Sequence, residues 1–152
     1  MFQRYPHESD IYPSLSRIPL HVRMKLDLAG TKISLKDWLA FSIEERVVLC
    51  HLPVETEEEK QVFSCYLDFL SRRYCGVPVT MTAAISSSLW DTAQTVPEPV
   101  AQKQAPSIPP VTVEEWQRWK SYQRYALYKT ALSQSDPSQF FTVLQALRAS
   151  ED

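Results

Sequence analysis

Cys50 and His51 are adjacent, and His21, Cys65 and Cys75 are the other thiol and imidazole groups to consider beside them. These are the residues that could ligate a metal or attack a carbonyl. A zinc-type site needs three or four such ligands to converge, usually from closely spaced pairs. Here no CxxC occurs, and Cys65 and Cys75 stand ten apart. A Cys–His catalytic pair needs a thiolate, a base and an orienting group. Sequence neighbours on a helix point about 100° apart, so Cys50 and His51 do not form that pair by adjacency. No GxSxG nucleophile motif is present. With Gly30 and Gly76 as the only two glycines, neither GxGxxG nor a P-loop can be written. The expectation is no catalytic residue, no metal site, no bound cofactor and no enzymatic role.

Cations are the second group with chemical potential. Arg17, Arg23, Lys25, Lys32 and Lys36 share residues 17–36 with Asp27 as the only acid, whereas Glu55, Glu57, Glu58 and Glu59 form an acidic run. The bland reading is a solvated surface with helix-dipole complementarity. The functional reading is a basic patch that docks an acidic protein surface or an anionic ligand. Arg23 and Arg124 are the favoured contacts, because a guanidinium binds carboxylate or phosphate in a planar fork. From Trp116 to Tyr128 aromatic residues interleave with Arg118, Lys120, Arg124 and Lys129. Such a pattern can stack single-stranded nucleic acid. A net charge of −2 argues against that, so no nucleic-acid partner is expected.

The elements that must position these groups read as helices. Ile18 to Leu28 carries an alternating pattern compatible with a strand. Its start at Pro19, its Arg23–Asp27 pair and its stop at Gly30 favour a helix. Ser34–Asp37, Ser42–Glu45, Thr56–Glu59 and Thr112–Glu115 have capping-box spacing. The first opens a short helix with Trp38, Leu39 and Phe41, and the second a helix ended by Pro53. The third opens a long helix with an apolar stripe of Val62, Phe63, Tyr66, Leu67, Leu70 and Tyr74, ended by Gly76. The fourth opens one helix running through Trp116, Trp119, Ala126 and Leu127. Asp136-Pro137 starts the last, with Phe140, Phe141, Leu144 and Leu147 turned inward. Residues 77–111 include Pro97, Pro99, Pro106, Pro109 and Pro110 and read as a strap anchored by Leu89 and Trp90. No internal repeat is visible.

The predicted fold is all-α: a compact bundle of five or six helices around the long one, with a long proline-rich connection. At 152 residues the chain has the length of a single domain. It comprises N-terminal helices over 14–76, the strap over 77–111 and C-terminal helices over 112–149. The odd cysteine count suits reduced thiols. There is no run long enough to span a membrane, and the polar first ten residues have no signal-peptide core. A cytoplasmic protein without a membrane partner is expected.

Two blocks carry a resemblance. One is Ile18-Pro-Leu-His-Val-Arg-Met-Lys-Leu-Asp27 with Gly30, Lys32, Leu35, Trp38, Glu45-Arg46 and Pro53. The other is Trp116 with Gln123-Arg-Tyr-Ala-Leu-Tyr-Lys129, and Trp90 with Val96-Pro97 is a weaker third. Together they resemble the nitrate reductase-associated protein family, whose members are encoded beside assimilatory nitrate reductase and molybdenum-cofactor genes. The resemblance implies an accessory protein for nitrate reductase maturation or molybdenum-cofactor acquisition. Its partner would be nitrate reductase or a molybdenum-cofactor biosynthesis protein. The alternative is a carrier of an anionic ligand such as molybdopterin. The candidate contacts are Arg23, Lys25, Lys32, Trp38, Arg124 and Lys129. The family pattern leads one to expect an acidic-aromatic ending, where this chain reads Ala149-Ser-Glu-Asp152.

Overall fold

The computed structural model describes residues 2–150. It is mostly helical, as expected, with two-residue strands as its only sheet among the described residues. Backbone contacts group the chain into two compact units, one up to Ser86 and one from Ser87 onward.

The first unit holds α1 (Leu20–Ala29), α2 (Leu35–Ala40), α3 (Ile43–His51) and α4 (Glu57–Cys75). The region that allowed two readings is helical. Pro19 is extended at its N-cap and Gly30 closes it in the left-handed conformation. The three expected capping boxes at Ser34, Ser42 and Thr56 all form, each hydroxyl accepting from the N3 amide while the N3 carboxylate accepts from the cap amide. Gly30 has a second duty. β1 (Thr31–Lys32) pairs antiparallel with β2 (Thr80–Met81), and the Thr82 amide donates to the Gly30 carbonyl. A Cβ on Gly30 would lie 2.8 Å from the Thr82 oxygen, so only glycine lets the returning chain approach. The core comprises Val22, Trp38, Leu49, Phe63, Leu67 and Leu70 with their neighbours. The apolar stripe of α4 is narrower than expected. Phe63, Leu67 and Leu70 are buried, but Val62 and Tyr74 are exposed.

The second unit holds α5 (Glu98–Ala101), α6 (Val113–Arg118), α7 (Ser121–Ala131) and α8 (Gln139–Ala149). The proline-rich segment is divided between the units: 77–86 closes the small sheet of the first, and 87–111 opens the second. Trp90 is buried as an anchor, whereas Leu89 is exposed. Eight α-helices among the described residues exceed the expected five or six for two reasons. Four strap residues coil into α5, started by Pro97. The helix opened by Thr112 also breaks at Trp119 and Lys120, both extended, and restarts when the Gln123 side chain accepts from the Lys120 amide. The last helix begins at Gln139 without a side-chain cap, so Asp136 does not cap it directly; Asp136 instead accepts from the Ser138 hydroxyl.

Contrary to the sequence reading, the two units contain a repeated element. Residues 18–50 correspond without a gap to 96–128, an offset of 78. The positions shared are Pro19/Pro97, Val22/Val100, Lys25/Lys103, Trp38/Trp116, Arg46/Arg124 and Leu49/Leu127. The backbone repeats with them. Pro19 and Pro97 are both extended N-caps, Ser34 and Thr112 both carry capping boxes, and Phe41 and Trp119 both leave the helix at ψ near 150°. The repeat is hidden because Pro106 stands where the first unit has Leu28 of α1, and Pro109 and Pro110 stand where it has Thr31 and Lys32 of β1. Prolines remove amide donors there, so α5 stops after one turn.

Candidate functional site

The repeated element places two of the candidate residues. Trp38 is fully buried, and its indole donates to the Leu15 carbonyl at 2.8 Å. Arg46, one helix later, sends Nε to the Trp38 carbonyl at 2.9 Å and a terminal nitrogen to the Leu39 carbonyl at 2.8 Å. Its other terminal nitrogen reaches the Ser14 carbonyl. The Trp38 and Leu39 oxygens belong to the last turn of α2, where carbonyls outnumber intrahelical donors; the Trp38 oxygen also accepts from the Phe41 amide. In the second unit Trp116 donates to the Trp90 carbonyl and the Thr92 hydroxyl. Arg124 sends Nε to the Trp116 carbonyl at 2.8 Å and a terminal nitrogen to the Gln117 carbonyl at 3.2 Å. Its remaining nitrogen pairs with Asp91 at 3.1 Å. Each unit thus ties a short helix to the next by one tryptophan and one arginine, eight residues apart. Arg46 is the residue that sequence reasoning passed over. The signal that could have found it was the Trp-x7-Arg spacing, present twice.

Lys25 also turns inward. It is 1% exposed, and its ammonium donates to the carbonyls of Leu49 and Cys50 at the end of α3. Burial pushes its pKa down to about 8. Burial likewise pushes the Cys50 thiol up to about 12, so this cysteine is a protonated core residue rather than a nucleophile. His21 accepts the Gln3 amide at Nδ1, 2.9 Å away, and burial, followed by the Lys25 charge, drives its pKa down to about 3. Among the described residues no three His, Cys, Asp or Glu side chains come together as a metal-holding group.

The remaining candidates lie outward. Arg23 on α1 and Lys32 on β1 are exposed, and Lys129 on α7 is half-buried. Arg23 and Lys32 share the first unit; Arg124 and Lys129 belong to the second. In the first unit a shallow cleft of about 610 Å³ is lined by Arg4, Tyr5, Pro6, Ser9, Tyr12 and Pro13. The Arg4 guanidinium stands over the Tyr12 ring at 5.6 Å and the Phe2 ring at 5.4 Å. Tyr12 in turn donates to Glu8, whose other carboxylate oxygen accepts the Leu20 amide and so caps α1 from twelve residues upstream. That cap replaces the hydroxyl that Pro19 lacks.

The geometry therefore defines a mostly helical protein whose buried ionisable groups hold its helices together and whose outward cations stand on the surface. The chain belongs to the conserved nitrate reductase-associated protein family, whose pattern matches residues 4–147. No characterised relative and no solved structure shows significant similarity to it. No helix among the described residues is long and apolar enough to cross a membrane.

Proposed function

We propose that this chain is a non-enzymatic accessory protein for assimilatory nitrate reductase, acting in the cytoplasm. It binds the immature enzyme, or a molybdenum-cofactor biosynthesis protein, and helps the enzyme acquire or retain its molybdenum cofactor. The observation that carries this reading is the family match over residues 4–147. The exposed cations Arg23 and Lys32 of the first unit are the contacts assigned to the partner; half-buried Lys129 of the second unit is a separate candidate. Lys25 and Trp38, buried and committed to backbone carbonyls, hold the fold of the first unit rather than touch a partner. Arg124 commits its guanidinium to two carbonyls and Asp91, and Lys25 is buried, so of the three cations an anionic-ligand carrier would use, Arg23 is the exposed one.

The test is an affinity pull-down of the tagged chain from nitrate-grown cells, with R23E/K32E as control. Recovery of nitrate reductase or a cofactor-biosynthesis protein by the parent chain, and its loss in the control, is the expected result. Absence of both from cells with active nitrate reductase, even after cross-linking, would overturn the reading.

A further inference from the structure

The outward face of α4 carries a pattern that its own core does not use. At about 100° per residue, Glu58, Val62, Cys65, Phe69 and Arg72 fall within one stripe, spaced 4, 3, 4 and 3 as in a coiled-coil seam. The stripe lies opposite the face that buries Phe63, Leu67 and Leu70. Val62 is 57% and Phe69 54% exposed, and Cys65 between them is exposed as well. Ordinary packing places such residues on the core side of a helix, not on its outside.

The charges at the two ends say what fits there. The first turns of α4 are acidic, with Glu57 and Glu58, and its last turn is basic, with Arg72 and Arg73. Glu58 and Arg72 each stand two turns from Cys65, on either side. Arg72 also pairs with Asp68 at 2.8 Å and remains 61% exposed. Arg73 lies over the Tyr74 ring at 5.3 Å. A second α4 laid antiparallel on this stripe sets Glu58 against Arg72, Val62 against Phe69, and Cys65 against its own copy on the two-fold axis. A parallel pairing would set acid on acid and base on base. We propose that the exposed face of α4 is an isologous homodimer interface, with a second copy of this chain packed antiparallel and Cys65 next to the symmetry axis.

One helix face is a small interface, at the low end below about 1,200 Å² in total. The dimer is therefore weak and concentration-dependent. Sedimentation equilibrium of the full chain between about 5 and 300 µM should show reversible dimerisation, weakened at least tenfold by V62D or F69D. Circular dichroism of those variants should match the parent, since both positions are exposed. A short bismaleimide linker should trap the dimer through Cys65, so that C65S abolishes the cross-link and C75S does not. Added salt should weaken the association by screening the Glu58–Arg72 pairs. A chain that stays monomeric at 300 µM overturns the proposal. So does a dimer that V62D and F69D leave intact, or one cross-linked through Cys75.

Discussion

His21 offers a titration of known sign. Its pKa falls from 6.5 in a free imidazole to about 3 in the fold, chiefly through burial. The unfolded chain thus binds a proton below pH 6.5 that the folded chain refuses. The stabilisation is complete above that pH and is lost as pH falls toward 3. Between pH 6.5 and 4.5 the loss amounts to about 2 kcal/mol. His7, also lowered by burial, adds in the same direction, and Glu8, raised by burial, opposes it. Urea titrations of the parent and H21Q at several pH values isolate the His21 share. A parent slope that H21Q leaves unchanged would contradict the assignment.

The two tryptophan–arginine ties give a second residue-scale expectation. Arg46 is buried and serves three carbonyls, whereas Arg124 is half-buried and splits its donors between carbonyls and Asp91. Removing a buried charged donor leaves several oxygens unsatisfied. R46A should cost about 3 kcal/mol and R124A about 1–2 kcal/mol. R46K should rescue little, because an ammonium cannot span the planar fork of acceptors. Equal costs for the two alanine variants in thermal or urea unfolding would show that the ties are not ranked by burial.

At the scale of elements, capping chemistry was the most legible part of the sequence. Ser34, Ser42, Thr56 and Thr112 each start a helix as their spacing implied, because a hydroxyl and a carboxylate three residues apart can satisfy each other's amides locally. The break at Trp119–Lys120 was not legible. Lysine has no side-chain acceptor for an N-cap, and the restart depends on Gln123 reaching back instead. The burial of Lys25 has a related cause. Read as a helix, 22, 25, 26 and 29 share one face, so Lys25 belongs beside Val22 in the core. The alternating pattern of the same stretch masks that face. The partner that makes Lys25 tolerable there, the end of α3, is set by tertiary structure.

The two glycines separate local from tertiary demands. Both have positive φ, near 70°. A Cβ on Gly76 meets nothing within 4 Å, while one on Gly30 strikes the Thr82 carbonyl and lies 3.2 Å from the Ala84 amide. G76A should therefore cost about 1 kcal/mol, the left-handed penalty alone. G30A should cost about 2–4 kcal/mol and loosen the β1–β2 pairing, seen as faster amide exchange at Thr82. Comparable losses in the two variants would mean that the returning chain does not depend on close approach at Gly30.

For the whole molecule, helical class followed from four capping signals and a proline-rich divider, so it could be read before any coordinates. The repeated element was legible only through its twice-present Trp-x7-Arg spacing. Its shared positions are few and scattered, and prolines shorten the first helix of the second copy. The roles of the candidate residues were least legible. Arginine, lysine and tryptophan serve as surface contacts and as internal ties alike, and only burial and acceptor geometry distinguish Arg23 from Arg46 or Lys32 from Lys25. The family assignment, by contrast, was visible in the residues around Ile18–Asp27 and Gln123–Lys129, and it spans 4–147.

Service to nitrate reductase without catalysis is the role proposed for this chain. The most direct measurement is nitrate reductase activity per unit of enzyme polypeptide in nitrate-grown cells lacking this chain, with its molybdenum content measured alongside. Normal polypeptide, low activity and low molybdenum are expected, with activity and molybdenum restored by the parent chain and less well by R23E/K32E. Normal activity and normal molybdenum in the deletion strain would contradict it.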